Sequence, residues 1–154
     1  MTAKVRTCLW FDGNGHEAAE FYVTLLPDSR IEKAFNPKPG EPPLVVDFTL
    51  GGTPYQVLNG GPRYQHTEAA SISVLTKDQA ETDRLWEALT ADGGSEIACG
   101  WLKDRYGLFW QIVPEGMPKF LASDDAAAAG RAFEAMMGMV KLDIAALEAA
   151  YKGA

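Results

Sequence analysis

The chain has 154 residues, of which 47% are hydrophobic and 23% charged, a composition typical of one ordinary globular domain. It carries 14 lysines and arginines against 21 aspartates and glutamates, which gives a formal net charge of −7. This acidity argues against nucleic acid and against an anionic membrane surface as partners, because both bind basic protein surfaces.

The first half of the chain has the pattern of a βαβββ module. Residues 5–11 are rich in β-forming side chains, and Asn14 followed by Glu17 has the spacing of a helix N-cap with a capping box. Apolar residues then recur at i, i+3, i+4 and i+7 until Pro27 stops the helix. Around a proline-rich loop we predict three further strands, at 29–35, 44–50 and 55–59.

The second half repeats the first. A strand is predicted at 71–76, and a shift of 64 positions places Asn14 on Asp78 and Glu17 on Glu81, with matching apolar helix faces. Three strands follow, at 95–98, 100–103 and 108–113. We therefore predict a single domain, 1–154, containing module 1 at about 4–62, module 2 at about 68–114 and a helical tail at 115–154.

The tail is predicted to contain two capped helices. Asp124 or Asp125 would begin an alanine-rich helix, and Asp143 a short last helix whose apolar face runs over residues 142–151. Modules of this kind leave sheet edges that a partner chain commonly covers. We therefore expect a homodimer, with residues 142–151 as a candidate contact.

The two cysteines, Cys8 and Cys99, each fall in a predicted strand and form no CxxC motif, so we expect buried thiols in a reducing cytosol. The N-terminal MTAKVRT leads directly into a strand without a hydrophobic signal segment. No apolar run approaches the roughly 18 residues of a membrane span. These features predict a cytoplasmic protein without membrane contact.

The most informative stretch is CGWLKDRYGLFWQIVP, residues 99–114. Asp104 begins a turn, and it and Lys103 are expected to be turn and surface groups. In the strand that follows, alternation places Phe109, Gln111 and Val113 on one face. A glutamine flanked by aromatic residues on a strand predicts the floor of a polar and apolar pocket. The tryptophans at 10, 86 and 110 are expected on the opposite, helix-covered side.

Two tandem βαβββ modules resemble the vicinal oxygen chelate superfamily, which has the glyoxalase/bleomycin-resistance/dioxygenase fold. The segments LWFDGNGHEAAEFY, NGGP, DQAETDRLWEAL, CGWLKDRYGLFWQIVP and KLDIAALEAAY are similar to its PhnB-like branch, often labelled 3-demethylubiquinone-9 3-methyltransferase. The resemblance implies an α+β fold in which the two modules form an incomplete barrel, followed by C-terminal helices. A methyltransferase of the usual kind has a glycine-rich loop between a strand and a helix, and this sequence has none.

In metal-dependent relatives the ligands come from the first and last strands of each module. Carried onto this sequence, those positions are Thr7, Gln56, Ser71 and Gln111. All four are neutral hydroxyl or amide groups, which are poor ligands for a transition metal, so we expect no catalytic metal and no cofactor. The same groups suit a small polar ligand, or else they satisfy one another or a buried water.

Strand alternation adds further residues to the predicted ligand-binding site: Leu9, Phe11, Leu58, Ser73 and Phe109. Trp101 is added because it lies close in sequence to the predicted rim. We predict a metal-free pocket that binds or sequesters a small polar or aromatic metabolite. The alternative is an enzyme of the superfamily, either an isomerase, lyase or dioxygenase or the methyltransferase of the family label. No catalytic residue is assigned, but His66 is the candidate general base, whereas His16 is expected to be exposed at a helix start. A structural dimer with a vestigial pocket also stays open.

Overall fold

The computed structural model describes residues 3–154. The chain divides into two compact units, one ending at His66 and the other running from Thr67 to Ala154. Each unit contains a four-stranded sheet and a helix in βαβββ order, and the second also holds three C-terminal helices. The predicted α+β class and the two βαβββ modules are confirmed, while the single domain 1–154 stays a prediction.

Module 1 has one helix packed on one face of its sheet. Its elements are β1 Thr7–Phe11, α1 Gly15–Tyr22, β2 Arg30–Phe35, β3 Val45–Leu50 and β4 Thr53–Asn59. The strand order is β1-β4-β3-β2, with β1 parallel to β4 and the other neighbours antiparallel. Phe11, Phe48 and Val57 are buried on the face toward α1 and form the core with Ala18 and Tyr22.

Module 2 repeats this arrangement. Its elements are β5 Ile72–Thr76, α2 Gln79–Thr90, β6 Ser95–Glu96, β7 Trp101–Lys103 and β8 Phe109–Pro114. The order is β5-β8-β7-β6, again with the first and last strands parallel. Leu85 and Trp86 of α2 are buried with Leu102, Trp110 and Ile112 of the sheet. The predicted helix-side positions of Trp86 and Trp110 are therefore confirmed.

The two module helices begin in different ways. At α2 the Asp78 carboxylate accepts the Glu81 N–H at 2.8 Å, and the Glu81 side chain accepts the Lys77 N–H at 3.0 Å. At α1 Asn14 holds the predicted N-cap position, but its side chain makes no capping hydrogen bond. The Gly15 N–H donates instead to Asn59 Oδ1 at 2.8 Å, which ties the helix start to the end of β4.

Three helices follow module 2: α3 Gly116–Leu121, α4 Ala126–Met137 and α5 Ile144–Lys152. Asp125 caps α4 and Asp143 caps α5, each accepting a backbone N–H at 3.0 Å. Of the two predicted caps of α4, Asp125 is therefore the one that forms. Within residues 3–154, none of the helices has the length and apolar character needed to cross a membrane.

The apolar face of the last helix packs inside its own unit. Leu142 and Leu147 are almost fully buried in a cluster with Met117 and Ala132, and Tyr151 stacks on Phe120 in α3 with ring centroids 4.8 Å apart. Leu142 and Leu147 of the predicted dimer contact are therefore used to stabilise the tail itself, and a dimer contact over residues 142–151 stays a prediction.

Backbone hydrogen bonds fasten the tail to module 2. The N–H groups of Cys99 and Gly100 donate to the carbonyl oxygens of Met139 and Val140, both at 2.8 Å. The Gln79 side chain at the start of α2 accepts the Ile144 N–H at 2.8 Å. The segment from Met139 to the start of α5 is thus held at two places on module 2.

Candidate functional site

The face of the module 2 sheet opposite α2 carries the largest group of predicted site residues. Ser73, Gln111 and Trp101 are direct cross-strand neighbours on β5, β8 and β7, and Lys103 is the neighbour of Phe109. Side chains at alternate strand positions share a face. We call this surface the polar face, and its residues are Ser71, Ser73, Leu75, Trp101, Lys103, Phe109, Gln111 and Val113.

Gln111 lies at the centre of the polar face. Its Nε2 donates to Ser71 Oγ at 2.9 Å, and its side chain is half-buried, as is that of Trp101 beside it. Ser73 is exposed, and Phe109 is 5% exposed. The structure therefore brings together the predicted residues Ser71, Ser73, Trp101, Phe109 and Gln111, and ligand binding by them stays a prediction.

The corresponding face of module 1 carries Gln56 and Leu58, as predicted, but it is charged. Gln56 Nε2 donates to Asp47 Oδ1 at 2.9 Å, and Asp47 Oδ2 lies 3.9 Å from Arg6 Nη1. Cys8 is the cross-strand neighbour of Gln56. The amide of Gln56 is thus engaged by a carboxylate of its own module.

Three predicted site residues of β1 lie on the other side of the sheet. Leu9 is 8% exposed and Phe11 3% exposed, both on the face toward α1, and Thr7 shares their alternation at the exposed start of the strand. Their predicted place on the same face as Gln56 is wrong, because Cys8 and Trp10 occupy that face instead.

The error comes from one extra residue between strand and helix. Three residues, 12–14, connect β1 to α1, whereas two, 77–78, connect β5 to α2. The helices therefore match at a shift of 64, but the first strands match at 65, from Thr7 to Ile72. A shift of one residue moves every side chain of a strand to the opposite face.

Both cysteines differ from their predicted burial. Cys8 is exposed, and Cys99 is half-buried in a connection between strands, where its φ of 57° is left-handed. Desolvation raises the pKa of the Cys8 thiol, with Arg6 opposing this effect and Asp47 adding to it. The Cys8 thiol is therefore protonated at neutral pH and is a weak nucleophile.

Asp104 forms the predicted turn but is 2% exposed, so its predicted surface position is wrong. Oδ1 accepts the N–H groups of Tyr106 and Leu108 at 2.8 and 3.0 Å, and Oδ2 accepts Trp110 Nε1–H at 2.8 Å. This carboxylate fixes the hairpin that presents Gln111. The signal in the sequence was the indole six residues after the aspartate.

His66 and Trp10 are held by contacts within the first unit. His66 Nε2 donates to the Trp10 carbonyl oxygen at 2.7 Å, which leaves Nδ1 as its basic atom, and its role as a general base stays a prediction. His16 is half-buried rather than exposed, and its buried Nδ1 has no hydrogen-bond partner among residues 3–154. Trp10, predicted under the helix, instead lies edge-on to Tyr64 on the opposite face.

The donor set of the polar face does not suit a transition metal. Such ions are bound in proteins by imidazole, thiolate or carboxylate groups. Here the donors are two hydroxyls and the amide of Gln111, whose NH₂ group is directed to Ser71. In the described part of the chain, no three His, Cys, Asp or Glu side chains are grouped as metal ligands would be.

Several solved structures share this fold. The PhnB protein of Bacillus cereus is 26% identical, with a TM-score of 0.67, over 73% of this chain and 99% of its own. A Pseudomonas aeruginosa protein is 24% identical, with a TM-score of 0.61, over 74% of this chain and 98% of its own. The fosfomycin resistance protein FosX of Listeria monocytogenes is 12% identical, with a TM-score of 0.58, over 80% and 99%. The fold is that of the vicinal oxygen chelate superfamily.

Residues 3–113 match the model of the family described as 3-demethylubiquinone-9 3-methyltransferase. This chain belongs to that family, and with it to the PhnB-like proteins. The match stops one residue before the end of β8, so α3, α4 and α5 lie outside it. A comparison with curated proteins finds no match.

Proposed function

We propose that this protein binds a small organic molecule, with polar groups and an aromatic or other planar part, on the polar face of module 2. The observation that carries the proposal is the half-buried Gln111 carboxamide. Its Nε2 is engaged by Ser71, whereas its Oε1 accepts no hydrogen bond from any residue between 3 and 154. A half-buried acceptor of this kind is suited to a ligand N–H or O–H.

The neighbours of Gln111 supply the rest of a small-molecule site. The Ser73 hydroxyl, one strand away, both donates and accepts, and the half-buried Trp101 ring on the other side offers an apolar surface. A few polar groups beside aromatic side chains are the usual composition of ligand sites. These features support binding of a metabolite that is polar at one end and planar at the other.

The family description names methyl transfer, which is the alternative function. A nucleotide-like methyl donor is usually held by a glycine-rich loop that leads from a strand into a helix. The two strand-to-helix connections here, 12–14 and 77–78, contain three and two residues. We therefore propose binding, rather than methyl transfer, as the function of this chain.

Gln111→Leu tests the site, because it removes the carboxamide while keeping a similar side-chain volume. Compounds found by a thermal-shift screen of small polar aromatic molecules should bind the variant at least about tenfold more weakly, equivalent to about 1.4 kcal/mol. Calorimetric Kd values provide the measurement. Gln56→Leu, the matched change in module 1, should leave these affinities unaltered. Unchanged affinity in Gln111→Leu, or loss of its fold, would contradict the proposal.

We also propose that the protein is a homodimer. The edge strand β2 supports this, because all six of its residues are exposed, including Phe35 at 55%. Light scattering at micromolar concentration should give about twice the chain mass of 16.7 kDa. A mass of one chain throughout a dilution series would refute the dimer.

A further inference from the structure

We propose that the polar face of module 2 selects anionic ligands through Lys103. Its ligand would then be a small carboxylate or similar anion carried on a planar, apolar body. This inference rests on the proposed function, since it assigns a ligand class to the same site. It names a specificity-determining residue that lies outside the group predicted from the sequence.

Lys103 belongs to the polar face by its position in the sheet. It is two residues from Trp101 on β7, so their side chains share a face, and it is the cross-strand neighbour of Phe109 on β8. Its Nζ lies 5.7 Å from the centroid of the Phe109 ring, within the range of a cation–π contact. This contact holds the ammonium group over the strand pair that carries Gln111.

The charge of Lys103 is not balanced by a nearby carboxylate. Among residues 3–154, no aspartate or glutamate forms an ion pair with it, whereas Lys141 in the same unit lies 2.7 Å from Asp83. Glu96, on the neighbouring strand β6, accepts the Trp86 indole N–H at 2.9 Å. Asp104, the next residue along the chain, is buried in the hairpin.

The rest of the polar face is neutral, so Lys103 gives it a charge of +1 in a chain of net charge −7. A ligand carboxylate near Nζ would gain a charge-assisted hydrogen bond. A planar group attached to the carboxylate could then lie against Trp101. A neutral ligand of the same shape would make the same apolar contacts but would lack the ionic contribution to the binding free energy.

The test compares two probes of nearly equal size, benzoate and benzamide, by NMR titration at constant ionic strength. We expect benzoate to shift the backbone amide signals of Trp101 and Gln111 with a Kd about fivefold lower than that of benzamide. The preference should disappear in Lys103→Met, persist in Lys103→Arg and decrease with added salt. Lys77→Met, an exposed lysine of the same unit, is the control that should keep the preference.

The outcomes separate this inference from the proposed function. Equal affinity for the two probes, a preference that survives Lys103→Met, or saturable binding of neither probe would overturn the selection of anions. The Gln111→Leu comparison judges the proposed site independently, because its compounds come from a screen that includes neutral molecules. If those compounds bind through Gln111 with affinities that do not depend on their charge, the proposed site is supported and the role of Lys103 is refuted.

Discussion

Asp104→Asn is expected to destabilise the protein by about 3 kcal/mol. The substitution keeps the size of the side chain but replaces the carboxylate, which accepts two backbone N–H groups and the Trp110 indole N–H inside the hairpin. If the oxygen of the new asparagine keeps the two backbone hydrogen bonds, the NH₂ group of the same side chain faces the Trp110 N–H. Both groups are donors, so the indole N–H is left without an acceptor. Hydrogen bonds to a charged group contribute about 1.5–3 kcal/mol each, and an unsatisfied buried donor costs about 1–3 kcal/mol.

The measurement is urea unfolding followed by circular dichroism. Asp92→Asn is the matched control, because that side chain is 76% exposed in its 3.3 Å ion pair with Arg105, and such pairs contribute at most about 1 kcal/mol. A loss in Asp104→Asn no larger than in the control would mean that the carboxylate does not hold the hairpin together.

Gly100→Ala is expected to cost about 3 kcal/mol and to loosen the tail. Gly100 has a φ of +83°, a left-handed conformation that costs other residues about 1–2 kcal/mol. An added Cβ would also lie 2.9 Å from the Ile112 carbonyl oxygen and 3.1 Å from Leu142 Cδ1. Because Leu142 is fully buried, the new methyl group must push either the strand or the tail segment away.

Gly107→Ala separates these two causes. Gly107 has a similar φ of +89°, but nothing lies within 4 Å of the Cβ position. The stability of this variant should therefore fall only by the cost of the backbone conformation. Hydrogen exchange gives a second measurement, since the Cys99 and Gly100 amides bonded to the tail should lose protection only in Gly100→Ala. Equal losses of stability in the two variants would refute the packing contribution.

The order of elements could be predicted from the sequence because each depends on local patterns. The repeated apolar positions of Leu85, Trp86 and Leu89 indicate a helix face, and proline and glycine residues mark the connections. The face of β8 that carries Gln111 was also predictable, since alternation around Trp110 and Ile112 leaves a single assignment.

The face of β1 could not be found in the same way. Its residues, TCLWF, are apolar or small throughout, so alternation alone does not distinguish Leu9 from Trp10. The predicted register therefore depends on the repeat, and the extra residue before α1 displaces it by one. Which side chains of β1 share a face is established only by the strand pairing, in which Cys8 is the neighbour of Gln56. The equivalent pair in module 2 is Ser73 and Gln111.

The burial of polar groups such as Asp104 was not predicted from the sequence for a different reason. Asp104 is in a turn sequence, and turn aspartates are usually solvated, but here the chain folds back so that Trp110 meets the carboxylate. The role of Asn59 at the start of α1 likewise depends on a contact with a residue far away in the sequence. The Asn59 contact is set by tertiary structure, on which local patterns carry no information, whereas the indole six residues after Asp104 is a local signal of its burial.

In each module the first strand pairs only with the last. Thr7 lies beside Tyr55, and Ile72 beside Trp110. On a translating ribosome, β1 thus emerges long before its partner strand exists and must wait for nearly the whole module. The second sheet closes when β8 has left the exit tunnel, yet the amides of Cys99 and Gly100 gain their acceptors only when Met139 and Val140 appear. We therefore expect each sheet to close only when its last strand has been made, and the Cys99 and Gly100 amides to be engaged after β8.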